Sequence, residues 1–99
     1  QQDNDHLLLD ILHIDHFGNC ILNFHKRDLK KLGEPEKVVL KFDRFNITGI
    51  QPTFGSVSKG QLVLTWDSAG FLQLSQNQGN AAKKLELNRD KRLKLYVFN

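Results

Sequence analysis

Apolar and polar residues alternate in short runs along most of the chain, a pattern typical of small, half-buried β-strands. The first run, LLLDILHI at 7–14, is apolar apart from Asp10 and His13. The segment DHFGN then has the turn chemistry to connect this run to a return strand, CILNF. The pattern therefore predicts that the domain opens with a β-hairpin.

Further strands are predicted downstream. The segment NITGIQPTF at 46–54 reads as extended, with Pro52 confining it to a sheet edge or a bend because proline has no backbone N–H for a central ladder. The turn-forming segments SVSKGQ and DSAG separate later runs from one another. The other predicted strands are KVVLKF at 37–42, LVLTW at 62–66, FLQLSQ at 71–76 and RLKLYVF at 92–98.

Two segments favour a short helix instead. Asp28 is a candidate N-cap for a single turn over 29–32, and Asn80 is a candidate N-cap for a helix whose apolar residues over 81–87 fall on one side. Six or seven short strands with one or two helical turns predict an all-β fold, a small β-barrel or sandwich. We expect a single domain over residues 7–98.

Composition narrows the class of protein. The chain has 99 residues, of which 39% are hydrophobic and 25% charged, a balance that fits one soluble domain with a single modest core. It contains no apolar run of the roughly 18–20 residues that a membrane span needs and no basic-then-apolar leader, so we expect a cytoplasmic protein without a membrane partner. The absence of methionine is what a piece of a longer protein would show. The single cysteine, Cys20, is expected to be an ordinary buried strand residue.

Charge leaves two interpretations open. The net charge is +3 and the pI about 9.2. Basic residues fall in short groups, as in many nucleic-acid-binding proteins, but acidic residues interrupt these groups and few aromatic residues lie between them. The pattern favours a solvated basic surface over a phosphate-binding stripe, and it does not favour nucleic acid as a partner.

Two chemical motifs are weak. His13 and His16 have a spacing that invites a metal site, but residues three apart point to opposite faces of a strand, and no further ligands follow at suitable spacing. Ser68 in WDSAGF lacks the glycine that precedes a nucleophile elbow serine by two positions. We therefore predict no metal site and no catalytic residue in this chain.

A third pattern is distributed over three turns that are rich in hydrogen-bonding side chains. Strand ends of a small barrel can gather at one rim, so we expect these turns to face one ligand, although ordinary turn formation also explains their composition. Carboxylates suit an ammonium, and asparagine matches the edge of an adenine. The turn residues are Asp15 and Asn19, Asp67 and Ser68, and Asn77 to Asn80, with Phe17 and Phe54 as apolar faces for a flat ring.

These residues carry a resemblance to a known family. IDHFGNCILN, followed by WDSAGFLQLSQNQGNAAKKLEL, resembles the C-terminal domain of the S-adenosylmethionine (SAM) hydroxide adenosyltransferases, which are related to the SAM-dependent fluorinating and chlorinating enzymes. Members of the family typically read I/V-D-x-F-G-N-hydrophobic-x-T-N, and later N-S-x-G-hydrophobic-L-x-hydrophobic-A-x-N-x-G-N-A-A-x-x-L-G-L. The similarity runs in the same order along nearly the whole chain.

The resemblance implies a fold, a reaction and a set of binding residues. It implies a β-barrel that binds SAM as substrate, without a cofactor, against an N-terminal α/β domain of a neighbouring subunit in a homotrimer. SAM and water would become adenosine and L-methionine. By motif position, Asp15 and Ser68 would hold the methionine end and Asn19 and Asn77 the adenine edge. The backbone at Gln78 would assist, and Phe17 and Phe54 would flank the ring or the sugar.

Departures from the family pattern favour the water-using branch over the halogenating one. Ile21 stands where fluorinating enzymes have tryptophan, and Ala69 where halogenating relatives tend to have arginine. Leu22 replaces a common threonine, and Asp67 replaces the usual asparagine. The chain has no water-activating set of side chains, so we expect it to be inactive alone. Two alternative functions remain: a basic barrel that binds single-stranded nucleic acid, and a structural oligomerisation domain.

Overall fold

Seven antiparallel strands form one strongly bent sheet that is nearly closed into a small barrel. The fold was obtained as a computed structural model, which describes residues 6–98. The spatial order of the strands is β4-β3-β7-β1-β2-β6-β5. The strands are β1 (His6–Ile14), β2 (Cys20–His25), β3 (Val38–Phe42), β4 (Phe45–Thr48), β5 (Leu62–Trp66), β6 (Phe71–Gln76) and β7 (Arg92–Val97). The predicted all-β small barrel is confirmed.

The first strand holds the two halves of the barrel together. Its residues from His6 to Asp10 pair with β7, and its residues from Ile11 to Ile14 pair with β2. A register shift between Ile11 and His13 bends the strand where it changes partners. The sheet thereby folds over on itself instead of remaining open.

The two outer strands of the sheet approach each other and nearly close the barrel. Ile50, just after β4, forms an isolated parallel bridge with Leu64 of β5, and the Gln51 N–H donates to the Leu64 carbonyl at 2.7 Å. The predicted extended segment at 46–54 is therefore a strand only as far as Thr48. It continues as an irregular cover over β5 and includes a short 3-10 turn at Phe54–Ser56.

Two short helices fill the ends of the barrel. The helix α2 (Ala81–Leu85) has the predicted N-cap, because Asn80 Oδ1 accepts a hydrogen bond from the Lys83 N–H at 2.8 Å. The predicted helical turn over 29–32 with Asp28 as its N-cap is wrong in position, because the helix α1 comprises Lys26–Leu29. His25 is the N-cap, and Asp28 lies at the third helical position, where its carboxylate accepts from the His25 N–H.

The core is built mainly from leucine. Buried residues alternate with more exposed ones along β2 and the first part of β7, whereas the central residues of β5 and β6 are all buried. Cys20 is fully buried among them, as predicted. The largest fully buried apolar side chains are Leu22, Leu40, Leu64, Leu72, Leu74, Leu93, Leu95, Val38 and Val63.

Candidate functional site

The turn between β1 and β2 is organised by a single carboxylate. Asp15 Oδ1 accepts hydrogen bonds from the N–H groups of Phe17 and Asn19 at 2.9 and 3.0 Å, and Asn19 Nδ2 donates to Asp15 Oδ2 at 2.9 Å. Gly18, at φ +83°, takes the left-handed conformation that the tight turn requires. Asp15 therefore fixes the direction of the Asn19 carboxamide.

The electrostatics of this turn favour the ionised carboxylate. Partial burial opposes ionisation of Asp15, but the hydrogen bonds from Asn19 and Phe17 and the nearby His13 together hold the pKa of Asp15 below its ordinary value of 3.8. The turn thus presents a negative charge at neutral pH, and both carboxylate oxygens of Asp15 already accept hydrogen bonds from within the turn.

The junction between β6 and α2 is equally tightly bonded. Asn77 Nδ2 donates to the Val57 carbonyl at 2.9 Å, which ties the junction to the loop that covers β5. Gln76 Oε1 accepts from the Asn80 N–H at 3.0 Å. Gln78 has φ +56°, so the backbone turns sharply there, and its side chain is exposed.

These two regions lie in contact. The Ala82 N–H donates to the Gly18 carbonyl at 3.0 Å, and the Asn80 side chain occupies the space where a Cβ on Gly18 would lie. Cys20 pairs with Leu74 across β2 and β6, which brings the start of one strand beside the end of the other. Asp15, Asn19, Asn77 and Gln78 therefore cluster at one end of the barrel.

Ser68 and Phe54 meet at the other end. A cleft of about 360 Å³ is lined by Phe54 and its neighbours on one side and by the β5–β6 turn with Ser68 on the other. Ser68 is exposed, and Phe54 retains 41% of its accessible surface. The cleft residues are Pro52, Thr53, Phe54, Thr65, Trp66, Asp67, Ser68 and Gln73.

The turn at 67–70 is held in place by His25. Its Nε2 lies 2.9 Å from the Ala69 carbonyl, its ring packs beneath Gly70, and the Lys26 N–H donates to the Gly70 carbonyl at 2.9 Å. Asp67 Oδ1 completes the turn by accepting from the N–H groups of residues 69 and 71 at 2.9 and 2.8 Å. Ser68 is thus carried on a well-supported turn.

The expectation that all three turns share one rim is wrong for a single copy of the chain. Successive turns flanking a strand lie at its two ends, and the turn at 67–70 precedes β6 whereas the junction at 77–80 follows it. A six-residue strand separates them by about 20 Å. Phe17, with 71% of its surface exposed, projects into solvent beside the first cluster.

Both clusters lie within a segment that matches a known family. Residues 9–94 match the family described as the SAM hydroxide adenosyltransferase C-terminal domain. The chain belongs to this family. The match also spans the cleft between β5 and the loop that covers it, and the predicted family is confirmed.

Solved structures extend the comparison to proteins of this family's fold. The chain is similar to an uncharacterized conserved protein from Thermotoga maritima, with 27% identity and a TM-score of 0.79 over 96% of this chain and 37% of that one. It is also similar to a conserved hypothetical protein from Thermus thermophilus, with 25% identity and a TM-score of 0.69 over 92% and 34%. The chain thus spans about a third of the length of each of these two proteins.

Three residues that line or support the cleft were not singled out from the sequence. His25 is remote from every motif along the chain, and only the strand register brings it beneath the turn at 67–70. Thr65 and Gln73 lie on the alternating polar face of β5 and β6 yet are almost fully buried. Gln73 lies between two leucines, which predicts a solvent-exposed side chain. This alternation does not reveal that a loop covers that face of the sheet.

Three further features bear on the class of protein. Within residues 6–98, no three His, Cys, Asp or Glu side chains are grouped so that they could hold a metal ion. Over the same residues, no helix is both long and apolar enough to cross a membrane. Burial and the nearby Asp15 charge raise the pKa of Cys20 to about 11, which disfavours a nucleophilic thiolate there.

Proposed function

We propose that this chain is the SAM-binding C-terminal domain of an enzyme that converts SAM and water into adenosine and L-methionine. The observation that carries the proposal is the family match over residues 9–94, which includes both turn motifs. SAM is the substrate in this proposal, and no cofactor is required. The active protein would also contain an N-terminal α/β domain that activates the water.

The two ends of the barrel support an extended pose for SAM. The adenine would lie against Asn19, Asn77 and the backbone at Gln78, and the methionine portion would reach the cleft with Ser68 and Phe54. The length of β6, roughly 20 Å, is comparable to an extended nucleoside joined to an amino acid. Binding at both ends would align the nucleophile, the 5′ carbon and the sulfonium, which contributes much of the rate of such a displacement.

Asp15 acts indirectly in this pose. The Asn19 carboxamide already donates one hydrogen to Asp15, which leaves its carbonyl oxygen and its second N–H for a ligand. That donor and acceptor pair matches the edge of an adenine. Because Asp15 lies in the same turn as Asn19, we assign it to orienting Asn19 and not to the methionine ammonium.

A second surface is required to complete the site. Phe17 is 71% exposed and Phe54 41% exposed, and Ser68 stands at the surface. Exposed aromatic residues beside candidate binding residues are typical of sites that another surface covers. We infer that the N-terminal domain of a neighbouring subunit, in a homotrimer, supplies that cover.

The reaction balances without redox chemistry. The water oxygen bonds to the 5′ carbon of the ribose, the bond from that carbon to sulfur breaks, and methionine leaves as a neutral thioether. One proton is released as water becomes the 5′ hydroxyl of adenosine. Sulfur loses its positive charge during the step, so an environment that stabilises the transition state more than the sulfonium of bound SAM accelerates the reaction.

Incubation of the full-length protein with SAM in ¹⁸O-labelled water tests the function. We expect adenosine labelled at the 5′ oxygen and unlabelled methionine, in equal amounts. Asn19→Ala and Asn77→Ala should raise the KM for SAM, whereas Asn46→Ala, at an exposed position of β4, should not. Formation of S-adenosylhomocysteine or methylthioadenosine, or no product at all, would contradict the proposal.

The isolated 99-residue chain provides a further test. We expect it to release no adenosine above the spontaneous rate, because its sequence offers only single scattered Asp, Arg and His residues and no set of side chains that would activate water. Chromatography of the reaction mixture is sufficient for the measurement. Adenosine release by the isolated chain would place the water-activating groups within this domain.

A second candidate function, binding of single-stranded nucleic acid, rests on one observation. Tyr96, near the end of β7, stacks with Phe98, which follows that strand, with ring centroids 6.1 Å apart. The Lys41 ammonium lies 4.8 Å from the centre of the Tyr96 ring. Stacked aromatic residues beside a cation suit a base and its phosphate. Oligonucleotide binding that weakens steeply with salt and is lost in Tyr96→Ala would support it, and no binding at low salt would remove it.

A further inference from the structure

The barrel is left open along a seam between its two outer strands, β4 and β5. The parallel bridge between Ile50 and Leu64 joins the two sides at one point, but among residues 6–98 no ladder pairs β4 with β5. From this bridge towards the starts of both strands, the seam holds a cavity of about 360 Å³. The cavity is lined by Phe45, Asn46, Ile47, Thr48, Gly60, Gln61, Leu62 and Lys84.

On one side of the seam, β4 presents unpaired backbone groups. The Gly49 N–H donates to the Val38 carbonyl at 2.7 Å, in the register of the β3–β4 ladder. Hydrogen-bonded and non-hydrogen-bonded residues alternate along an antiparallel strand, so the N–H and C=O groups of Asn46 and Thr48 point away from β3. The free edge of β4 thus offers two donors and two acceptors to a further strand.

On the other side, β5 follows the same rule. The Leu64 carbonyl accepts from the Gln51 N–H on the side of the seam, and Leu62 precedes Leu64 by two positions, so its backbone groups face the same way. In the part of the chain that the structure describes, no backbone hydrogen bond from a turn or loop reaches Asn46, Thr48 or Leu62. An extended segment in the seam would supply the missing partners.

Neither strand carries the features that usually protect a sheet edge. The sequences FNIT of β4 and LVLTW of β5 contain no charged residue and no proline, which commonly block pairing with a foreign strand. Ile47 is buried, whereas Asn46 and Thr48 are exposed. A segment that pairs with β4 would therefore place alternate side chains towards the barrel interior and towards solvent, which favours alternating apolar and polar residues.

Lys84, from α2, gives the seam a positive charge. Its Nζ lies 5.9 Å from the centre of the Phe45 ring, at the start of β4. Lys84 also lines an adjoining groove of about 460 Å³, to which Arg44 and Lys91 contribute two further cations. The positive charge therefore continues beyond the end of the seam.

The carboxylates of this groove leave most of that charge uncompensated. Asp43 lies 4.0 Å from Arg44, and Glu86 is the other acidic residue of the lining. Over residues 6–98, no carboxylate lies within 4.0 Å of the Lys84 or Lys91 ammonium. Acidic side chains of a bound segment would compensate these charges.

We propose that the seam binds an extended segment of a partner polypeptide in which acidic and apolar residues alternate. Its backbone pairs with the free edge of β4, its apolar side chains lie beside Ile47 and Leu62, and its acidic side chains meet Lys84. This is binding by addition of a strand to a sheet, in which the main chain gives affinity and the side chains give specificity. The inference does not rest on the proposed function, because none of these residues is assigned to SAM.

A labelled hexapeptide of alternating glutamate and valine tests the proposal. Its binding to the full-length protein is measured by fluorescence anisotropy, beside a version with lysine in place of glutamate and two versions N-methylated at every second residue. We expect saturable binding of the first, at least tenfold weaker binding of the lysine version, and a similar loss for at least one methylated version, which cannot donate to β4. Equal affinity for the glutamate and lysine versions, or full affinity of both methylated versions, would overturn the inference.

Two variants assign the effect to the seam. Lys84→Glu reverses the charge, and Thr48→Pro removes an N–H that faces the seam while the β3 ladder keeps its own hydrogen bonds. Each should weaken binding of the glutamate peptide about tenfold, whereas Lys31→Glu, at an exposed position after α1, should not change it. If Thr48→Pro does not fold, as judged by circular dichroism, the methylated peptides decide whether the backbone pairs.

Other occupants of the seam give different results. If a labelled hexathymidylate binds and Lys84→Glu abolishes its binding while the glutamate peptide does not bind, the site is one for nucleic acid and the inference is wrong. If the peptide does not bind and Thr48→Pro lowers the oligomeric state in sedimentation, the seam is an interface between copies of the chain, which also overturns the inference.

Discussion

At the scale of single residues, the motif side chains build the turns before they can serve any ligand. Asp15 accepts three hydrogen bonds from its own turn, and Asn77 ties its junction to the Val57 carbonyl. A side chain that is held in this way loses little conformational entropy when a ligand arrives. The same residues therefore determine both the local fold and the precision of the candidate site.

The charge of Asp15 makes the first turn sensitive to acid. Its pKa is below 3.8 in the folded chain, so its stabilising contribution is fully present above that pH and is lost as the pH falls through the lower folded value. We expect the urea midpoint of the wild type to fall between about pH 4 and pH 2 more than that of Asp15→Asn. Asp90→Asn, at an exposed position before β7, serves as the control and should retain the wild-type slope.

Gly18 and Gly60 have the same backbone conformation, so alanine substitutions at both distinguish the cost of backbone strain from the cost of a steric clash. Gly18 and Gly60 have φ +83° and +85°, but a Cβ at Gly18 would meet the Asn80 side chain, whereas one at Gly60 would meet nothing within 4 Å. Each alanine substitution should cost about 1–2 kcal/mol for the left-handed conformation. Gly18→Ala should cost roughly 1–3 kcal/mol more because it displaces Asn80. Equal losses in urea unfolding would show that the contact contributes nothing.

At the scale of elements, His25 connects three of them. It ends β2, caps α1 through Nδ1, which accepts from the Arg27 N–H at 3.2 Å, and supports the β5–β6 turn through Nε2. The Nδ1 nitrogen accepts, so the other ring nitrogen carries the proton and donates to the Ala69 carbonyl. One ring thus couples the start of a helix to the turn that carries Ser68.

Substitution of His25 tests that coupling. His25→Ala should destabilise the fold by about 1–3 kcal/mol through the lost cap and the lost bond to Ala69. His25→Asn should restore the cap but not the reach to the turn, so its stability should be intermediate and the amide NMR shifts of residues 67–70 should still change. His16→Ala, at an exposed position, is the control. Wild-type shifts in His25→Asn would contradict the support of the turn by the ring.

The positions of the strands and helices could be predicted from the sequence better than their exact ends and capping residues. Six or seven strands and one or two helical turns were predicted from alternation and capping residues, since those signals are local, and the structure has seven strands. The end of β4 at Thr48 was not predicted, because the residues after it leave the ladder in order to cover β5. The cap of α1 was assigned to Asp28 because aspartate is a common N-cap, whereas imidazole seldom plays that part.

At the scale of the whole molecule, the order of strands decides which turns meet. The pairing of β2 with β6 brings the Asn19 turn to the Asn77 junction and sends Ser68 to the far end. That order depends on contacts between residues far apart in the chain, such as Cys20 and Leu74, which periodicity does not encode. The candidate site residues were therefore predictable individually, through the family resemblance, but their division into two clusters was not.

Closure of the barrel should govern the chemistry of Cys20. Its thiol is fully buried and its pKa is about 11, against 9.0 for an exposed thiol, so reagents such as Ellman's reagent should react slowly near pH 8 and rapidly in urea. The raised value also means that the contribution of Cys20 to stability is complete below pH 9 and is lost as the pH rises towards 11.

The measurement is the rate of labelling at increasing urea concentration. We expect the rate to follow the fraction of unfolded protein, and we expect the loss of stability between pH 9 and pH 11 to be smaller in Cys20→Ala. Fast labelling of the native protein in mildly alkaline buffer would indicate that the barrel opens locally at the start of β2.

The contact between Gly18 and Asn80 has a consequence for protein engineering. The DHFGN turn and the start of α2 are far apart in the chain but pack against each other, and the Gly18 carbonyl also accepts a hydrogen bond from the Ala82 N–H of α2. A designer who transplants the DHFGN loop into another barrel must transplant the helix start that fits against it. Neither the loop nor the helix start is expected to keep its conformation without the other, so a variant library that randomises one of them should keep the other unchanged.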